Sequence, residues 1–62
     1  MPIVNVKLFE GRTTDEKRKL VSEVTKTICG TLSVPPESVR IIIEDMPREN
    51  FSVAGVLAVD KK

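Results

Sequence analysis

Pro2 is the residue of this chain with access to an unusual base. It follows Met1, and N-terminal processing generally removes an initiator Met when the next residue is small. Removal leaves Pro2 with a free secondary amine. An unperturbed α-amino group titrates near pH ~8, and modest surroundings bring it to neutrality. A base poised there suits proton transfer at carbon. The plainer reading is that Pro2 opens an edge strand, where its missing N–H costs little. Arg12 and Arg40 bear on the choice. Cations beside an amine disfavour its protonated form and so lower its pKa, and a positive group at oxygen supports a developing enolate. Taken singly, each arginine reads more simply as half of a surface ion pair. Cys29 has no His or acid close in sequence and reads as an inert, packed thiol.

The elements that must position these residues are legible in order. Ile3 to Phe9 alternates, with Val4, Val6 and Leu8 on one face and Ile3, Asn5, Lys7 and Phe9 on the other, which predicts a strand. Gly11 marks a turn. Thr13-Thr14-Asp15-Glu16 fits a capping box. Leu20, Val21, Val24, Ile28 and Leu32 form one apolar stripe, so a helix is expected from about Thr14 to about Leu32. Lys17, Arg18, Lys19, Glu23 and Lys26 read as its solvated face, and Gly30 weakens its last turn. Pro35 and Pro36 exclude regular structure, with room for a single turn through Ser38. Val39 to Asp45 is dominated by β-branched residues and predicts a second strand. Met46 to Asn50 turns the chain. Phe51 to Val59, with Gly55 in its middle, predicts a short hairpin or an arm that docks on a partner.

Strand, helix, strand is a right-handed βαβ unit, so the two strands are expected to run parallel. Pro2 and Arg40 then sit together at the strand starts, because neighbouring strands lie ~4.8 Å apart. Arg12 and Phe51 follow the strand ends, about 23 Å away along the strand. They can join Pro2 only from another subunit. One helix covers one face and leaves Ile3, Phe9 and Ile42 bare, and two strands alone make no stable sheet. Sixty-two residues are expected to form one domain, 1–62, that buries only ~60% of its unfolded surface. One Cys and no His exclude an internal disulfide and argue against structural zinc, which leaves oligomerisation as the supplement.

Ten basic and nine acidic residues give a net charge of +1, with no basic cluster beyond Lys17-Arg18-Lys19 and Lys61-Lys62. With only Phe9 and Phe51 as aromatics, no nucleic-acid surface is expected. No apolar run approaches a membrane span and no signal peptide precedes the first strand, so the expectation is a soluble cytoplasmic protein without membrane or nucleic-acid partners. A lone thiol agrees with a reducing compartment.

Pro2 behind Met1, the run Phe9-Glu10-Gly11-Arg12, the capped helix from Thr13, Ser38-Val39-Arg40, Phe51 and a Gly in the tail together resemble the 4-oxalocrotonate tautomerase family, over essentially the whole chain. The resemblance implies an α+β tautomerase-like fold, here a βαβ protomer with a C-terminal hairpin. It implies pairing into a four-stranded sheet with two helices and assembly as a hexamer, a trimer of dimers. It also implies enol to keto isomerisation of a 2-hydroxymuconate-type carboxylic acid without metal or cofactor. Carried over, Pro2 is the general base and then acid, moving a proton from the enol oxygen to C5. Arg40 binds at the 2-oxo or enol oxygen, Arg12 holds the distal carboxylate, and Phe51 walls the pocket. The early end of the tail and Phe9, where the family often has an aliphatic residue, depart from the pattern and leave the substrate open. Two alternatives stand beside this reading. One is another Pro2-dependent activity of the superfamily, such as a dehalogenase or hydratase; the other is a non-catalytic oligomeric module.

Overall fold

The computed structural model describes residues 1–61; Lys62, half of the C-terminal basic pair, lies outside them. The elements run β1 (Ile3–Phe9), α1 (Thr14–Leu32), a 3₁₀ turn at Pro36–Ser38, β2 (Arg40–Met46), a 3₁₀ turn at Arg48–Asn50, β3 (Ser52–Val53), β4 (Val56–Leu57) and a last 3₁₀ turn at Ala58–Asp60. β1 and β2 pair in parallel from Ile3 opposite Arg40 to Phe9 opposite Met46, and β3 and β4 form a separate antiparallel pair. The expected β-α-β order and the C-terminal hairpin are both present. β2 begins at Arg40, one residue later than the apolar run indicated.

Local chemistry explains the boundaries. Thr13 caps α1, its hydroxyl accepting from the Glu16 N–H at 3.1 Å while the Glu16 carboxylate accepts from the Thr13 N–H at 3.0 Å. At the other end the helix runs through Gly30 and closes on Ser33, whose left-handed backbone (φ 57°) aims its N–H at the Cys29 carbonyl, 3.0 Å away. The hairpin turns on Ala54 and Gly55, both at positive φ (54° and 81°), the mirror-image turn that matches strand twist.

Val4, Val6, Leu8, Ile41 and Ile43 are half-buried on the sheet face toward α1, which returns Leu20, Val21, Val24, Thr25, Ile28 and Cys29. Three expectations need correction. Lys17 is not on the solvated face: only 29% of its side chain is exposed, and it pairs with Asp45 of β2 at 2.8 Å. Its spacing of three and four residues before Leu20 and Val21 places it on the packed stripe. Leu32, counted in that stripe, is 57% exposed. Phe9 is not bare either, because Phe51 packs its edge against the ring, centroids 5.5 Å apart at 82°. Ile3 and Ile42 do remain open, at 55% and 54%.

No described side chain is fully buried. The protomer measures 42 × 25 × 15 Å with a radius of gyration of 14.8 Å, against about 11 Å for a compact chain of this length. It exposes 4948 Å². A monomeric protein of 6.9 kDa exposes about 4000 Å², and the excess is close to the ~800 Å² that each partner gives to a standard interface. No helix among the described residues is long and apolar enough to cross a membrane.

Candidate active site

The sheet divides the candidate residues between its two ends. At the first, the Arg40 N–H donates to the Pro2 carbonyl at 3.0 Å, which fixes the backbone of Pro2 one rung before Ile3 pairs with Arg40. The Arg40 guanidinium turns back along the strand and donates to the Glu37 carbonyl at 2.7 Å. That carbonyl belongs to the 3₁₀ turn that Pro35 and Pro36 start, so the proline pair sets the angle of the arginine. Among the described residues Arg40 has no carboxylate within ion-pair distance, and its charge is uncompensated. Pro2 is half-buried and Met1, attached to its nitrogen, is 76% exposed.

At the other end, Glu10 extends the pairing by donating its N–H to the Met46 carbonyl at 3.0 Å, and Gly11 at φ 110° lets the chain reverse into α1. Arg12 leaves this turn with its guanidinium 3.2 Å from Glu16. Glu16 thus accepts from both the Thr13 cap and Arg12, and the Thr13 backbone bond first, then Arg12, hold its carboxyl below the usual carboxylate range. Arg12 and Phe51 line one open depression with Phe9, Arg48 and Asn50; neither Pro2 nor Arg40 belongs to it. This depression lies at the end of the sheet away from Pro2. The structure brings Pro2 to Arg40 and Arg12 to Phe51, and holds the two pairs a whole strand apart.

The sequence reading missed Arg48. Its guanidinium carbon lies 4.4 Å from the centroid of the Phe9 ring, a cation–π contact that places a second guanidinium in the Arg12 depression. Only the conjunction of an unusual Phe9 with a cation two residues past Met46, the strand partner of Phe9, could have signalled it.

The chain matches known proteins along nearly all of its length. The family model described as "Tautomerase enzyme" matches residues 2–61. A Listeria monocytogenes protein named "Probable tautomerase" is 42% identical over 60 residues, covering 97% of this chain and 98% of its own. Among solved structures, YwhB, described as a homologue of 4-oxalocrotonate tautomerase, superposes with a TM-score of 0.94 at 38% identity, over 98% of this chain and all of that one. A heterohexameric 4-oxalocrotonate tautomerase from Chloroflexus aurantiacus J-10-fl superposes with a TM-score of 0.92 at 26% identity, over the whole of both chains. A β-α-β protomer with its arginines at opposite strand ends, matched along its full length in both sequence and backbone, belongs to the tautomerase family.

Proposed function

We propose that this chain, once freed of Met1, interconverts the enol and keto forms of a 2-hydroxymuconate-like acid, with Pro2 as the proton carrier. The Pro2 nitrogen takes the proton of the 2-hydroxyl. Charge develops on that oxygen, where Arg40 stabilises it, and the prolinium returns the proton at C5, so the substrate is isomerised and nothing is consumed. Arg12 binds the distal carboxylate and Phe51 keeps the pocket dry. The observation that carries this reading is the end-to-end separation of Pro2 and Arg40 from Arg12 and Phe51. A complete site then needs two protomers, and the surface excess of the isolated chain supports such an assembly. The heterohexamer among the relatives makes a hexamer, built as a trimer of dimers each with a four-stranded sheet, the assembly of choice. The chain acts as one domain, with a small carboxylic acid as its partner and the cytoplasm as its compartment.

The test is Met1. While Met1 is attached, the Pro2 nitrogen is a tertiary amide with its lone pair delocalised into the carbonyl, and it can be neither base nor nucleophile. The strands, helix and hairpin need no free amine. Protein that retains Met1 by intact mass is expected to fold and assemble but to lose about 10²–10⁴-fold in turnover of a dienol acid. Aminopeptidase treatment restores activity in proportion to the Met removed. Full turnover by protein retaining all its Met1 would refute Pro2 as the base. A halogenated acrylate assayed beside the dienol acid separates tautomerisation from dehalogenation or hydration at the same amine.

A further inference from the structure

Two arginines face the depression at the strand ends, and they are differently engaged. The Arg12 guanidinium lies 3.2 Å from the Glu16 carboxylate. Arg48, among the described residues, lies within ion-pair distance of no carboxylate and rests over the Phe9 ring instead. A guanidinium stacked on an aromatic face keeps its N–H donors in the plane of the fork, available to an incoming carboxylate as a bidentate partner. Phe9 is in turn braced by the edge of Phe51, so the mount of Arg48 is continuous with the aromatic wall of the depression. The charges there are Lys7, Arg12 and Arg48 against Glu10 and Glu16. Arg48 is therefore the difference between a neutral depression and one that attracts anions.

We propose that Arg48, mounted on Phe9, is a second carboxylate anchor at the distal end and makes the site select diacids over monoacids of the same carbon skeleton. The inference rests on Arg12 and Phe51 forming the distal wall of the Pro2 site. It places Arg48 as a specificity-determining residue that takes no part in the proton transfer. Arg12 shares its charge with Glu16, whereas Arg48 offers its charge whole.

The test uses two unreactive probes, trans,trans-muconate and sorbate, which share a six-carbon diene and differ in whether the far end is a carboxylate or a methyl group. Binding to the assembled protein is read by calorimetry. Wild-type protein is expected to prefer muconate. Arg48→Met weakens muconate about tenfold and leaves sorbate within about twofold, since only one probe carries the group that Arg48 meets. Arg48→Lys recovers part of the loss, as a point charge without the fork. Phe9→Leu moves the same ratio in the same direction by less, because it removes the mount and keeps the cation. Sorbate binding reports in each variant that the site is still formed. An unchanged muconate-to-sorbate ratio in Arg48→Met, or equal weakening of both probes, overturns the proposal. Loss of the ratio effect while turnover still depends on removal of Met1 sinks this inference alone. A ratio that follows Arg48 together with turnover that survives in Met1-retaining protein sinks the catalytic reading of Pro2 and leaves the anchor standing.

Discussion

The two ends of the β1–β2 sheet are built from different materials. At the Pro2 end the fixing bonds run to main chain: the Arg40 N–H to the Pro2 carbonyl, and the Arg40 guanidinium to the Glu37 carbonyl. At the Arg12 end they run between side chains, with Glu16 on Arg12, Arg48 on Phe9 and Phe9 on Phe51. A bond to a backbone carbonyl survives most substitutions of the residue that supplies it, whereas a contact between side chains changes with either partner. The first end thus suits a step whose geometry must stay constant. The second suits recognition, where one substitution can alter what is bound.

If the ends differ in this way, Arg40→Ala should be the costlier arginine change. Loss of a donor to a developing oxyanion lowers kcat by about 10²–10³-fold. Arg12→Ala should raise KM for a diacid by about tenfold with kcat little changed, as expected for binding felt equally by ground and transition states. Equal kcat losses from both would break the comparison. Steady-state kinetics on processed protein decides it.

A smaller effect sharpens the picture at the Arg12 end. The folded-state pKa of Glu16 is depressed, so its contribution to stability is present above the unfolded carboxylate pKa and lost as pH falls through the folded value. The protection of the Thr13 N–H, which donates to that carboxylate, measured by amide exchange relative to the unfolded-chain rate at each pH, should therefore fall over that acidic window, and Glu16→Gln should remove that fall. Thr13→Ala, which deletes the reciprocal bond, should cost about 1 kcal/mol at neutral pH. Smallest is the hairpin. Ala54 holds φ 54° without the side-chain chemistry that favours it, and Ala54→Asn should raise stability by about 0.5–1 kcal/mol in thermal unfolding. An unchanged melting temperature would mean that the turn is already free of strain.

The helix was legible to within a residue at both limits because its signals are local: Thr13 and Glu16 three positions apart, and apolar residues at helical spacing. Neighbouring strand starts for Pro2 and Arg40 followed from topology alone. Lys17 with Asp45, Phe9 with Phe51 and Arg48 over Phe9 were not legible. Each joins residues far apart in the chain, and two of the three depend on how Pro47 and the Arg48–Asn50 turn bend the chain after β2. Periodicity carries no information about that bend. The αL cap at Ser33 was not legible for a different reason: a serine carries no local signal for the left-handed region, and the glycine nearest the helix end, Gly30, sits inside the last turn and not at the cap.

The placement of Pro2 and Arg12 at opposite ends of one strand has a consequence for mixtures. A chain disabled at Pro2 still carries a sound Arg12 end, and a chain disabled at Arg12 still carries a sound amine. Reassembled together from equal parts, a protein without the amine and one with weakened diacid binding should complement one another at low diacid concentration. If each site draws its ends from different copies, as proposed above, random assortment would give about a quarter of the sites both sound halves. A lesion in this molecule would then belong to an end of the strand and to whichever neighbour faces it, and inheritance of activity would follow the assembly, not the polypeptide.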